Sequence, residues 1–93
     1  MPFSFDLSDE LKAEINVLSK RDKKTVEALN KKIKQIANCD EITIEHYKNL
    51  KHDLSEYKRV HISKSFVLLF KVFIKDKYIL FDKFKHHDEI YRR

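Results

Sequence analysis

The sequence predicts an α+β domain in which a helical hairpin packs on a small, largely antiparallel sheet. Apolar residues recur at helical spacing in the first half of the chain, whereas the second half has apolar runs typical of strands. A length of 93 residues leaves room for one core. We therefore predict the element order β-α-α-β-β-β and a single domain over residues 1–93.

A short strand comes first, because Phe3, Phe5 and Leu7 alternate with polar residues and would share one buried face. Ser8 is a favoured N-cap residue, so we predict a helix over about residues 9–19. The apolar positions of this helix are Leu11, Ile15 and Leu18.

A second helix is predicted to begin after Asp22, which is again a favoured N-cap residue. Its apolar positions recur every three or four residues and are Val26, Leu29, Ile33 and Ile36. Residues 38–56 fit no single period, so we expect a loop that contains one short turn of helix.

Three strands follow. Residues 57–62 would place Tyr57, Arg59 and His61 on one face. Residues 66–74 are almost all apolar, which predicts a central strand covered on both faces. Residues 78–84 form the last strand.

The chain has no glycine. Glycine-rich phosphate loops and dinucleotide fingerprints are thereby excluded. Turns that need a positive φ must use other residues, and we expect Asp76 to take this role in the second hairpin.

Positive charge is concentrated in the C-terminal part. Residues 57–93 hold ten Lys and Arg against four Asp and Glu, whereas residues 1–56 hold ten against eleven. A basic sheet that ends in His, Tyr and Arg suits phosphodiester binding and proton transfer. Nucleic acid is therefore the first partner to consider.

The composition also limits cofactors and location. A single cysteine, Cys39, can form neither an internal disulfide nor a paired-thiol metal site. The spacing in His86-His87-Asp88-Glu89 fits no standard ligand pattern, so we expect no metal and no cofactor. The longest apolar run, residues 66–70, is far too short for a membrane span. We expect a cytoplasmic protein.

Three segments, taken in order, resemble the RelE/ParE superfamily of toxins, and within it the YafQ-like messenger-RNA endonucleases. They are Leu50-Lys51 with Asp53-Leu54 and Tyr57, then Tyr57-Lys58-Arg59-Val60-His61-Ile62 leading into Phe66-Val67-Leu68-Leu69-Phe70-Lys71-Val72, and then His87-Asp88-Glu89-Ile90-Tyr91. The resemblance implies a toxin of a type II toxin-antitoxin system, with a cognate antitoxin, the ribosome and messenger RNA as partners.

The resemblance also implies metal-free cleavage, in which the ribose 2′-hydroxyl attacks the adjacent phosphorus. His87 is the expected general acid and His61 the base or a phosphate ligand. Tyr91 falls where the family has a terminal aromatic residue. Arg59 is the expected catalytic cation; this inference rests on the neighbouring residues rather than on the resemblance. The expected substrate-binding and phosphate-binding residues are Lys51, His52, Lys64, Lys83 and Lys85.

The chain departs from the family pattern at several positions, two of which lie in or just before the third strand. Val67 stands where RelE has an arginine, and Ser65 where YafQ-like toxins have an acidic residue. Two alternatives therefore stay open: a ParE-like gyrase inhibitor, and a catalytically degenerate RNA-binding relative. Lys83 and Lys85 could also serve only to keep an edge strand soluble. Of the adjacent histidines we expect His87 in the site and His86 outside it, because neighbours on a strand point opposite ways.

Overall fold

The computed structural model describes residues 3–51 and 55–91, and the side chain of Tyr91 lies outside this part. The described chain confirms the predicted α+β class and the order of the main elements. Its strands are β1 (Ser4–Leu7), β2 (Lys58–Ile62), β3 (Phe66–Phe73) and β4 (Tyr78–His86). Its helices are α1 (Asp9–Leu18), α2 (Lys23–Ala37), α3 (Glu41–Ile44) and α4 (His87–Tyr91).

The helices begin where capping residues satisfy their first backbone donors. The side chain of Ser8 accepts a hydrogen bond from the Leu11 amide at the start of α1. Asp22 accepts from the Thr25 amide in the same way at the start of α2. Both predicted caps are therefore confirmed, and α3 is the short helical turn expected between residues 38 and 56.

The four strands lie in the order β1-β4-β3-β2, so β3 and β4 are the two interior strands and β4 is not an edge strand. β3 pairs antiparallel with β2 and with β4, whereas β1 pairs parallel with β4. The sheet is therefore largely antiparallel, as predicted. Parallel pairing puts the start of α1 beside the middle of β4, and the Ser8 amide donates to the Phe81 carbonyl there at 2.9 Å.

Apolar residues cover both faces of β3. On the helical face, Leu68 and Phe70 belong to the main core, together with residues of α1, α2, α3 and β4. The fully buried members of this core outside β3 are Leu11, Leu29, Ile36, Ile44, Ile79 and Phe81. On the other face, Val67 and Leu69 form a second, smaller cluster. The remaining members of this second cluster are Leu50, Tyr57 and, partly buried, Ile90.

Two details of the sequence prediction are wrong. Phe5 is 40% exposed rather than buried, because β1 is an edge strand and only its β4 side is covered. Positive φ occurs at Ser63 (56°) and Lys77 (52°) rather than at Asp76. The Lys77 amide donates to the Ile74 carbonyl at 3.1 Å, so the positive φ falls on the last residue of the four-residue loop between Phe73 and Tyr78.

β4 also runs two residues beyond the predicted end, to His86. Across residues 3–51 and 55–91, no helix is long and apolar enough to cross a membrane.

Lys58 connects the loop before β2 to the sheet through hydrogen bonds. This lysine is only 8% exposed, and its Nζ donates to the Tyr47 carbonyl at 2.9 Å and to Asn49 Oδ1 at 3.0 Å. The Arg59 amide donates to the Lys48 carbonyl at 2.9 Å beside it. Backbone and side chain together hold the segment that leads to Leu50 and Lys51.

We expect Lys58→Met to lower the free energy of unfolding by about 1–3 kcal/mol, because the substitution leaves two acceptors without their donor. Urea unfolding followed by circular dichroism measures this loss. Lys12→Met, at an exposed position on α1, is the matched control and should be close to neutral. Equal unfolding midpoints for the two variants would contradict this role of Lys58.

Candidate active site

Two histidines meet at the end of the sheet where β2 and β4 finish. The ring centroids of His61 and His87 are 5.4 Å apart, and the ring planes are tilted by 30°. The side chain of His87 is 44% exposed, and His61 is also exposed. Two imidazoles open to solvent and close to each other form a pair that a single ligand can contact.

The strand register explains this meeting. His61 lies opposite Val67, which in turn lies opposite Lys85, so the three share one row across the sheet. The His87 amide donates to the Ser65 carbonyl at 2.6 Å, which anchors the first residue of α4 beside the β2–β3 turn. α4 then turns back over the second cluster through Ile90. The His87 ring, at the start of α4, lies beside His61.

His86 is directed elsewhere. Its ring packs edge-on against Phe66, with centroids 5.7 Å apart, and its Nδ1 accepts from the Asp88 amide at 3.2 Å. The carboxylate of Asp88 lies 3.8 Å from His86 Nδ1 and 3.7 Å from His87 Nδ1. The two adjacent histidines therefore have different surroundings, and His87 is the one beside His61.

Arg59 lies in the next row of the same sheet face. It is two residues from His61 on β2, a step of about 6.6 Å along a strand. Across the sheet it lies opposite Leu69, which lies opposite Lys83. The face therefore presents His61, Arg59, Lys83 and Lys85 around a buried apolar centre.

Lys83 and Lys85 are held by carboxylates of α1. Lys83 Nζ lies 3.2 Å from Glu10 Oε1, and Lys85 Nζ lies 3.3 Å from Glu10 Oε2 and 2.7 Å from Glu14 Oε2. The hydrogen bond that Lys83 donates to Glu10 raises the pKa of Lys83, and the hydrogen bond that Lys85 donates to Glu14 raises the pKa of Lys85. Hydrogen bonds from Lys83 and then Lys85 lower the pKa of Glu10. Glu10, Lys83 and Lys85 are therefore charged near neutral pH.

Four expected site residues remain. Lys64 is exposed in the β2–β3 turn, three residues after His61, and Lys51 is exposed after the loop held by Lys58. His52 lies outside the described residues. Tyr91 is the last residue of α4, and its side chain is likewise outside them. Whether these residues bind RNA stays a prediction.

Val67, where the resemblance implies an arginine in RelE, is fully buried between His61 and Lys85. This position therefore contributes packing and no charge. Ser65, the other departure, provides the backbone carbonyl that holds the His87 amide.

The sequence places Tyr57 on this face but does not reveal its polar contacts. The Tyr57 hydroxyl donates to Asp82 Oδ2, and Lys71 Nζ lies 4.9 Å from the centroid of the Tyr57 ring. Lys71 also pairs with Glu56 at 2.9 Å. The alternation of β2 placed Tyr57 on this face, but its partner Asp82 sits at a register shift between β3 and β4 that no local pattern reveals.

The carboxylates of α1 had a local signal. Glu10 and Glu14 are four residues apart, which places them on one face of a helix. What they contact depends on the parallel pairing of β1 with β4. Among the side chains of residues 3–51 and 55–90, no group of three or more His, Cys, Asp and Glu is placed to hold a metal ion.

Alkaline pH tests the buried hydrogen bond of Tyr57. Burial, and next the hydrogen bond to Asp82, raises the pKa of Tyr57 above the usual 10.0. Because the folded protein favours the protonated phenol, this contribution to stability is present below pH 10 and is lost as the pH rises further. We expect Tyr57→Phe to be less stable than the unchanged protein at pH 8, and to lose less stability between neutral and strongly alkaline pH. Denaturant unfolding at a series of pH values measures both effects, and parallel curves would contradict the assignment.

The chain is similar in sequence to two known proteins. No family model matches the chain. It is 43% identical over 91 residues to a protein of Methanocaldococcus jannaschii named "Putative toxin RelE4", covering 98% of this chain and 93% of that protein. It is 36% identical over 87 residues to an uncharacterized protein of Methanosarcina mazei, covering 91% and 94% of the two chains.

Solved structures share the fold. A crystal structure of a YafQ mutant from E. coli matches with a TM-score of 0.74 at 15% identity, over 96% of this chain and 98% of that chain. The RelBE2 toxin-antitoxin complex from Mycobacterium tuberculosis matches with a TM-score of 0.66 at 12% identity, over 94% and 100%. Together with the close relative in sequence, these matches confirm the resemblance: the chain belongs to the RelE superfamily of toxins of toxin-antitoxin systems, and its fold is that of the YafQ-like members.

Proposed function

We propose that this protein is an endoribonuclease that cleaves messenger RNA on the ribosome, in the cytoplasm, by attack of the ribose 2′-hydroxyl without a metal ion. Membership of the toxin superfamily supports an action on a cellular target. The observation that carries the choice of endonuclease is the pair formed by His61 and His87 on the basic face of the sheet.

The proposed reaction needs two proton transfers. A base takes the proton of the 2′-hydroxyl while the 2′-oxygen bonds to phosphorus, and an acid gives a proton to the departing 5′-oxygen. The products are a 2′,3′-cyclic phosphate and a 5′-hydroxyl end. Imidazole suits both transfers, because it gains and loses a proton near neutral pH.

In this proposal His87 is the general acid and His61 is the base or a phosphate ligand. Their centroids are 5.4 Å apart and both rings reach solvent, so a phosphodiester laid across them would come within hydrogen-bond reach of both. Arg59, in the next row, is the cation for the charge that develops on the phosphorane. Tyr91, at the end of α4, would position the substrate.

Phosphates on either side of the cleaved bond would be bound by the surrounding cations. The candidates are Lys51, His52, Lys64, Lys83 and Lys85. Such contacts would hold the RNA backbone without reading the base sequence.

Primer extension on a translated reporter messenger RNA tests the proposal. We expect ribosome-dependent cuts with the unchanged protein and rates lower by about 10²–10⁴-fold with His87→Ala and with His61→Ala, because each removes a proton-transfer group. His46→Ala is the matched control, since His46 is an exposed histidine outside the site and its loss should leave cutting unchanged.

Other outcomes separate the alternatives. Cuts that persist in His87→Ala would keep the nuclease and move the acid to another residue. RNA binding without cuts in the unchanged protein would indicate a degenerate RNA-binding relative. Toxicity that survives in both histidine variants, with inhibited DNA gyrase, would indicate a ParE-like inhibitor.

We also propose a cognate antitoxin as the protein partner. A structural neighbour from M. tuberculosis is a complex of toxin and antitoxin, and residues 57–93 of this chain carry an excess of six positive charges. An acidic segment complements such a surface.

We expect a small acidic protein encoded beside this gene to copurify with the chain and to abolish cutting in the reporter assay. Release of the chain at high salt would support a largely electrostatic contact. A neighbouring product that neither binds nor inhibits would contradict this assignment of the partner.

A further inference from the structure

Three lysines of β3 and β4 on the proposed RNA-binding face are each paired with a carboxylate from outside these two strands. Glu10 and Glu14 of α1 hold Lys83 and Lys85, and Glu56 of the preceding loop holds Lys71. The positive charge that the sequence concentrates in residues 57–93 is therefore partly balanced on this face by carboxylates from residues 1–56.

The α1 helix is anchored to the backbone of β4. The Ser8 hydroxyl donates to the Asp82 carbonyl at 2.6 Å, which sets the start of α1 against the strand. Six residues later, Glu14 Oε1 accepts from the Phe84 amide at 3.2 Å. The α1 helix therefore presents Glu10 and Glu14 to the lysines of β4 without any rearrangement.

This cluster combines a defined geometry with access to solvent. The side chains of Lys83 and Lys85 are 31% exposed, and those of Glu10 and Glu14 are 42% and 23% exposed. Exposed ion pairs contribute little to stability, because water screens them. A competing anion can therefore displace the carboxylates at small cost to the fold.

We propose that Glu10 and Glu14 are an internal competitor for RNA phosphates on Lys83 and Lys85. Two carboxylates offer the two ammonium groups the same anionic oxygens that two phosphates would offer. In the free protein the carboxylates are paired with the ammonium groups of the lysines. RNA binds to these lysines only by displacing the carboxylates. The inference rests on the proposed function in taking RNA as the ligand, and it adds the residues that limit RNA affinity.

A specific salt dependence follows. A lysine that is already neutralised by a carboxylate adds little to counterion release when it meets a phosphate. With the carboxylates removed, each freed lysine would add about 0.7 to the slope of log affinity against log salt for a single strand. The effect of Glu10 and Glu14 is therefore to weaken RNA binding and to make it less sensitive to salt.

The test uses Glu10→Gln/Glu14→Gln in the full-length protein. Glutamine keeps an oxygen for the Phe84 amide but carries no charge. The probe is a short single-stranded RNA with 2′-O-methyl groups, which cannot be cut because it has no free 2′-hydroxyl. Fluorescence anisotropy measures its affinity at several salt concentrations.

The matched control is Glu27→Gln/Glu41→Gln, which changes net charge by the same amount. Glu41 pairs with Lys77 at 2.8 Å, so the control also breaks a lysine–glutamate pair, but at the other end of β4. We expect the Glu10/Glu14 variant to bind at least about tenfold more tightly at low salt, with a slope steeper by about 1.4. The control should change affinity far less.

Equal affinity of the Glu10/Glu14 variant and the control would overturn the proposal and leave a structural role for the ion pairs. The same conclusion would follow if neither variant bound RNA. Glu10→Gln alone, which keeps the Glu14 contacts, provides the measurement if the double variant does not fold. The binding assay does not depend on catalysis. A failure of the unchanged protein to cut messenger RNA would therefore count against the proposed function alone.

Discussion

The burial of β3 on both faces is the constraint on which the rest of the structure depends. A strand with Val67, Leu68, Leu69 and Phe70 all inaccessible to solvent needs a cover on each side. The helices provide one cover, and the loop before β2 together with α4 provides the other. α4 contributes Ile90 to this second cover, and its first residue, His87, lies beside His61.

The same sheet then fixes the arrangement of the polar groups. Antiparallel pairing places His61 and Lys85 on either side of Val67, and Arg59 and Lys83 on either side of Leu69. Apolar residues thus occupy the middle of the face and polar residues its margins. In this arrangement a substrate would contact the margins while the centre keeps the rows at a fixed spacing.

Charge on this face is controlled by residues far away in the chain. Three of its lysines form ion pairs with Glu10, Glu14 and Glu56, none of which lies in a strand. The net charge of residues 57–93 therefore overstates the positive charge that this face would offer to the proposed RNA ligand. An anion that binds to these lysines would replace the carboxylates as their partner. Its affinity would therefore depend on the carboxylates as much as on the lysines.

The sequence by itself determined the local features, because they depend on neighbours along the chain: the caps Ser8 and Asp22, the helical stripes and the alternation that places Tyr57, Arg59 and His61 together. It also determined the superfamily, through three short segments. Only the tertiary structure decided the contacts between distant residues, since the pairing of Glu10 with Lys83 requires β1 to lie parallel beside β4. The exposure of Phe5 and the partner of Tyr57 likewise depended on which strand lies at an edge and where the register shifts, and hydrophobic periodicity records neither.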